Sequence, residues 1–132
     1  MGGGEFTFGH LADAHVGAWP RSPALRELLG KLSHPLVRMN YDIGNSASLG
    51  YDPAEELSGL GAWLGSVHVK DRVLGGSTVP LGTGSADFET CFWLIRANDF
   101  QGPFILQAAR EAGPTETELA IRNRNFVTKF LI

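Results

Sequence analysis

The feature that most constrains the fold of this chain is the strict alternation of helical and strand-like segments after residue 21. Apolar residues at helical spacing, each set opened by a capping residue, predict four helices. Three short apolar runs between them predict buried strands. The predicted order is helix 22–32, strand 36–43, helix 52–64, strand 65–71, helix 87–98, strand 102–108 and helix 114–131. Such alternation is typical of an α/β fold, in which helices connect the strands of a parallel sheet.

Two architectures agree with this order. One is a small open sheet with helices on both faces, and the other is a piece of a (β/α)₈ barrel. A complete barrel takes about 250 residues, whereas this chain has 132, which leaves room for roughly four βα units. Residues 1–21 have no clean periodicity. We expect them to form an irregular or rearranged start that could include one further strand.

Charge and cysteine content narrow the classes of function. The formal net charge is −3 and no basic stripe runs along the chain, which disfavours a nucleic-acid partner. No apolar run reaches the length of a membrane span, so we expect no membrane partner. The single cysteine, Cys91, cannot form an internal disulfide. Together with the absence of a signal-peptide pattern, it predicts a cytoplasmic protein.

A polar residue lies at or near the carboxyl end of each predicted strand. These residues are Asp42, His68 and Gln107. Parallel strands end on the same side of a sheet, so the three side chains would converge on one site. Carboxylate, imidazole and amide oxygen are suitable ligands for Mn²⁺, Co²⁺, Zn²⁺ or Mg²⁺. The alternatives are a hydrogen-bonded structural histidine and an aspartate that only forms a turn before Gly44 and Asn45.

A Gly-rich segment, residues 72–86, separates the second predicted strand from the next helix. Such a segment before a helix can bind an anion through free backbone N–H groups. It does not have the spacing of a P-loop or of a dinucleotide fingerprint. Asp87, as the helix cap, would also repel an anion. We therefore expect a connecting loop rather than a phosphate site.

Four segments in sequence carry a family resemblance: "YDIGNSASLGYDPAEEL", "GSVHVKDR", "TVPLGTGSADF" and "GPFILQAAR". In this order and spacing they resemble the C-terminal half of the sugar phosphate isomerase/epimerase family, the xylose isomerase-like TIM-barrel group. That group includes ketose and ketose-phosphate 3-epimerases and, more distantly, endonuclease IV. The resemblance covers residues 32–132. It implies that residues 1–132 form a single partial TIM-barrel domain of about four βα units.

The resemblance implies a divalent metal at the mouth of the barrel, held by Glu, Asp, His and Glu from successive strands. Carried over, the aspartate is Asp42 and the histidine is His68. Gln107 replaces the last glutamate. The first glutamate would lie within residues 5–19, where Glu5 comes too early. The alternatives for its place are Asp13, His10 or His15.

The resemblance also implies a reaction. Family epimerases move a proton next to a carbonyl through an enediolate, with the metal polarising the substrate oxygens and two glutamates exchanging the proton. A glutamine amide is not a base, so with neither glutamate in place we expect the two-base reaction to be lost. The first four strands of the family barrel have no counterpart here, and together with the irregular residues 1–21 this favours a truncated, inactive domain. Lys70, Asp71 and Arg72 would bind the sugar or sugar phosphate. The alternative for these three is a solvated charged cluster at the strand end.

Two other functions stay open from the sequence. One is a non-catalytic half-barrel remnant that acts as a binding or assembly module. The other, which the charge balance disfavours, is an endonuclease IV-like repair nuclease. A half-barrel leaves two open sheet edges, so we also expect that the chain could form a homodimer through these edges.

Overall fold

The structure of the chain, a computed structural model, describes residues 23–132. The elements over this range are α1 Pro23–Leu32, β1 Met39–Asp42, α2 Ile43–Ser48, α3 Pro53–Leu60, β2 Leu64–Val69, β3 Asp71–Arg72, β4 Thr78–Val79, α4 Phe88–Ala97, β5 Phe104–Leu106 and α5 Glu116–Leu131. A parallel three-stranded sheet has the order β1-β2-β5, and a separate antiparallel pair is formed by β3 and β4. A 3-10 turn, Gly61–Trp63, leads into β2.

The register of the sheet separates its side chains into two faces. Asp42 of β1 lies opposite His68 of β2, and His68 lies opposite Ile105 of β5. Because successive side chains of a strand point to opposite faces, these three residues share one face. The residues that precede Asp42 and His68 in their strands, Tyr41 and Val67, point to the other face.

The hydrophobic core lies between this second face and the helices. Helix α4 contacts both α3 and α5, and its aromatic residues join the helices to the sheet. The ring of Phe92 stacks on Phe104 of β5 at 5.2 Å between centroids and on Phe130 of α5 at 5.1 Å. The buried members of the core are Tyr41, Ile43, Leu57, Val67, Val69, Phe88, Cys91, Phe92, Ile95 and Val127.

The predicted helix caps are confirmed where they fall within the described range. Asp52 accepts a hydrogen bond from the Ala54 N–H, with Pro53 at the first helical position. Asp87 accepts one from the Thr90 N–H. Thr115 and Glu118 form a reciprocal capping box at the start of α5. Ser22 and the irregular start at 1–21 lie outside the described residues.

The first predicted strand, 36–43, is wrong at both ends. The strand is Met39–Asp42, and Gly44 and Asn45 belong to α2 rather than to a strand-breaking loop. The physical reason is Asp42, whose carboxylate accepts the Asn45 N–H and begins a new helix one residue after the strand. Strand and helix therefore meet without a loop.

Two other predictions are corrected. The last strand is not buried, since Ile105 and Leu106 are 42% and 40% exposed; β5 is an edge of the described sheet. Residues 72–86 are not only a connecting loop, because they include the antiparallel pair β3 and β4, with Arg72 opposite Thr78. No helix within residues 23–132 is long and apolar enough to cross a membrane.

Candidate metal and substrate site at the strand ends

Asp42 and His68 meet at the carboxyl end of β1 and β2. Their side chains are 7% and 14% exposed, and His68 Nδ1 lies 3.8 Å from Asp42 Oδ2. The other carboxylate oxygen, Oδ1, accepts the Asn45 N–H at 2.8 Å. The turn-forming role that the sequence left open is thus performed by one oxygen, while the second oxygen faces the histidine.

This pair has the chemistry and spacing of two ligands of one divalent cation. Ligand atoms that each lie about 2.0–2.2 Å from an ion are separated by at most roughly 4.3 Å, and 3.8 Å lies within that limit. Residues 23–132 contain no group of three or more His, Cys, Asp and Glu side chains that could hold a metal. Any further ligand would have to be an amide or water, or come from outside this range.

Gln107 lies further along the sheet than the other two predicted ligands. It follows β5 by one residue and is exposed. Ile105, and not Gln107, pairs with His68. The Gln107 N–H donates to the Val69 carbonyl at 3.0 Å, which extends the ladder past the strand. The alternation of the strand nevertheless puts Gln107 on the same face as Ile105.

Lys70 and Arg72 both donate hydrogen bonds to Asn45, a residue that the sequence did not indicate for this site. The Asn45 Oδ1 atom accepts hydrogen bonds from Arg72 Nη1 at 3.0 Å and from Lys70 Nζ at 3.4 Å. The Lys70 ammonium also lies 3.5 Å from Asp42 Oδ2. Asn45 was missed because an asparagine after Asp-Ile-Gly reads as a turn former. Its spacing of three residues from Asp42, the distance of an N-cap bond, was the available signal.

Asp71 is fully buried and turns away from this cluster. Its Oδ2 atom accepts the N–H groups of Gly82 and Gly84 at 2.9 and 2.8 Å, and its Oδ1 atom accepts that of Ala86 at 3.1 Å. A Cβ atom at Gly84 would lie 2.3 Å from Asp71 Oδ1. The glycine is therefore required for this close approach, and the carboxylate organises the loop that follows β4.

The sequence model of one family, the xylose isomerase-like TIM barrel, matches residues 5–129. The chain belongs to the xylose isomerase-like TIM-barrel family. It is 30% identical over 97 residues to the L-ribulose-5-phosphate 3-epimerase UlaE of Salmonella paratyphi A, and equally to that of Shigella sonnei. Each match covers 73% of this chain and 34% of the relative. This chain thus spans about a third of the length of these curated relatives.

Two solved structures share the fold of this family member. One is a D-allulose 3-epimerase from Methylomonas sp., with a TM-score of 0.66 and 20% identity, covering 80% of this chain and 41% of the other. The second is a xylose isomerase-like TIM barrel protein from Mycobacterium smegmatis in complex with magnesium. It has a TM-score of 0.58 and 18% identity, and covers 81% of this chain and 38% of the other. The prediction of a partial TIM barrel is confirmed.

In a TIM barrel the helices form the outer ring. The face that bears Asp42 and His68 therefore lines the barrel interior of this xylose isomerase-like chain. The row below them on that face is also polar, because Ser66 donates to Asn40 Oδ1 at 2.8 Å. Within residues 23–132 the buried Nδ2 atom of Asn40 has no hydrogen-bond partner. The inner face is thus polar over two rows of β1 and β2.

The outer face of the xylose isomerase-like sheet holds a second ionisable cluster. The buried Glu56 accepts hydrogen bonds from the Tyr41 hydroxyl at 2.9 Å and from the Ser46 hydroxyl. Burial raises the pKa of the Glu56 carboxyl, and the two hydroxyl donors only partly offset the rise. Burial also raises the pKa of the nearby Cys91 thiol to about 12. Nothing in the sequence distinguished Glu56 from the exposed glutamates of helical first turns.

Proposed function

We propose that this chain supplies part of a metal-dependent sugar or sugar-phosphate isomerase/epimerase that moves a proton next to a carbonyl through an enediolate. The observation that carries the proposal is the Asp42–His68 pair at neighbouring strand ends, 3.8 Å apart on the inner face. The curated relatives, named L-ribulose-5-phosphate 3-epimerases, support a ketose phosphate as the substrate.

Each residue of the site has a role in this proposal. Asp42 and His68 would hold a divalent ion such as Mn²⁺, Co²⁺, Zn²⁺ or Mg²⁺, with Gln107 contributing an amide oxygen. When bound, the ion would supply Lewis-acid stabilisation of negative charge on substrate oxygens. Arg72, a planar donor on the rim of the site, would bind a hydroxyl or phosphate of the sugar.

Lys70 and Asp71 support that arrangement in different ways. The Lys70 ammonium faces the inner side of the sheet beside Asp42, where it would attract an anionic substrate. Asp71 would act as a positioning residue, since its three backbone hydrogen bonds fix the loop beside Arg72. Proton exchange itself needs a base. The Gln107 amide cannot provide one, so the base would come from the part of the barrel outside residues 23–132.

Direct measurement of Mn²⁺ binding tests this function. Isothermal titration of the full chain should give saturable binding, and His68→Ala should weaken it by about 10-fold or more, the scale of removing a group that holds the metal in place. The matched control is His34→Ala, because His34 is exposed and hydrogen-bonds only locally to the Leu36 N–H. Equal Mn²⁺ affinity of the wild type and of His68→Ala would show that His68 is not a metal ligand.

A second candidate is a module that binds a sugar or assembles with a partner without turnover. The amide at Gln107, in place of a carboxylate, favours it. The two candidates differ in one measurement. Metal-dependent incorporation of deuterium from D₂O into a ketose or ketose phosphate would exclude the non-catalytic module, whereas metal and sugar binding with no incorporation would support it.

A further inference from the structure

One carboxylate oxygen of Asp42, Oδ2, faces the inner side of the sheet. Oδ1 is engaged by the Asn45 N–H at 2.8 Å, as the cap of α2. Oδ2 is approached by two groups, His68 Nδ1 at 3.8 Å and Lys70 Nζ at 3.5 Å. A divalent ion bound to Asp42 and His68 would have to use the oxygen beside which the Lys70 ammonium already lies.

Lys70 is held in this position by its surroundings. Its side chain is 14% exposed, and its ammonium has a second acceptor in Asn45 Oδ1 at 3.4 Å. Its backbone and stem pass directly over Gly44, where a Cβ atom would lie 2.8 Å from Lys70 Cγ and from its carbonyl carbon and oxygen. The glycine therefore lets the lysine lie close to α2 and reach Asp42.

The electrostatics of this arrangement oppose a second cation. Two like unit charges about 4 Å apart repel by several kcal/mol even at the effective dielectric of a protein surface, and a divalent ion doubles the effect. The ammonium must therefore move, or the ion must bind weakly. Asn45 Oδ1 is the acceptor that remains to the ammonium when Oδ2 is taken.

We propose that Lys70 is a resident counter-ion of Asp42 that competes with the divalent metal and moves onto Asn45 when the metal binds. This inference rests on the proposed metal site. It assigns to Lys70 the tuning of metal affinity, in addition to any contact with substrate. Removal of the ammonium should then strengthen metal binding, which a merely structural role for Lys70 would not produce.

The test is isothermal titration of Mn²⁺ into the full chain and into Lys70→Met and Lys70→Arg variants. Lys70→Met should bind Mn²⁺ about 10-fold more tightly than wild type, because the competing charge is gone and the aliphatic stem is kept. Lys70→Arg keeps the charge and should not gain affinity. The matched control is Lys31→Met, since Lys31 is exposed on α1 and pairs with Glu27.

Each outcome has one meaning. Equal or weaker Mn²⁺ binding by Lys70→Met than by wild type would overturn the competition while leaving the metal site in place. Absence of Mn²⁺ binding in all variants would overturn the metal site itself. Lys70→Gln provides a second neutral variant, and thermal unfolding of every variant in the absence of metal identifies any that does not fold.

Discussion

Two buried carboxylates that lie outside the Asp42–His68 pair, Asp71 and Glu56, show how single residues organise this chain. Asp71 is buried, and its carboxylate accepts three backbone N–H groups of the loop after β4. Glu56 is buried with two hydroxyl donors, and its raised pKa favours the neutral acid. The two buried acids therefore have different surroundings: Asp71 is held by backbone N–H groups of one loop, and Glu56 by two side-chain hydroxyls.

Glu56 makes stability depend on pH in a defined direction. Its pKa is higher in the folded than in the unfolded chain, so its stabilising contribution is complete below the ordinary glutamate pKa. The contribution is lost as the pH rises through the folded-state pKa. We expect the free energy of unfolding to fall over this interval, and Glu56→Gln to reduce the fall, because glutamine stays neutral. Urea denaturation at a series of pH values measures the free energy of unfolding and its fall with pH.

The control for this pH dependence is Glu89→Gln, a neutralisation in the exposed first turn of α4. It should reproduce the wild-type dependence on pH. A Glu56→Gln variant with the same pH dependence as wild type would show that Glu56 does not titrate between the two states.

At the scale of residues, the sequence identified Asp42 and His68, which the structure brings together, but not the side chains around them. Asp42 and His68 could be selected because polar residues at the ends of apolar strands are unusual. Asn45 and Glu56 could not, because their roles depend on which side chains approach them in space. The Asn45 amide becomes informative only when Lys70 and Arg72, 25 and 27 residues away, are seen to share its oxygen.

At the scale of elements, local capping signals determined what could be predicted. Helices α3, α4 and α5 begin where Asp52, Asp87 and Thr115 indicated. The end of β1 could not be predicted, since Asp42 both ends the strand and caps α2. The burial of β5 was overestimated from its apolar composition. An apolar strand favours packing on both sides, but the sequence does not show whether residues 23–132 provide a strand that pairs with its outer edge.

The capping box of α5 allows a prediction at this scale. Thr115→Ala removes the hydrogen bond to the Glu118 N–H, and we expect it to lower the free energy of unfolding by about 1 kcal/mol. The start of α5 affects the packing of the helices, because Phe126 and Phe130 of α5 pack against Phe88 of α4. Urea denaturation monitored by circular dichroism measures the change.

Thr128 provides the matched control on the same helix. It is exposed, and its hydroxyl bonds only to the Arg124 carbonyl one turn earlier. Thr128→Ala should change stability by a few tenths of a kcal/mol, the scale of helix propensity. Equal effects of the two substitutions would show that the capping box contributes nothing specific.

At the scale of the whole molecule, the sheet of residues 23–132 ends in β1 on one side and β5 on the other. Open strand edges with exposed apolar residues favour pairing with another chain. The chain also spans about a third of the length of its curated relatives, 34%. We propose that β5 is the edge through which the chain associates with a second copy of itself.

Association through β5 predicts a concentration-dependent mass. Sedimentation velocity over a range of protein concentrations should show a shift from monomer to dimer, and Ile105→Lys should weaken the dimer by placing a charge on the exposed edge. Leu49→Lys is the control, since Leu49 is 62% exposed but follows α2, outside the strands. A wild-type chain that stays monomeric at all concentrations would contradict self-association through β5.

The burial of Cys91 allows the transient opening of the core to be measured by thiol labelling. It is the single thiol among 132 residues and is 2% exposed, packed in the core between the sheet and the helices. A thiol reagent can reach it only when the side chains that cover it open transiently, and only the thiolate reacts. The labelling rate therefore reports how often the packing around Cys91 opens. Comparing that rate at low and at high protein concentration would show whether self-association slows the opening.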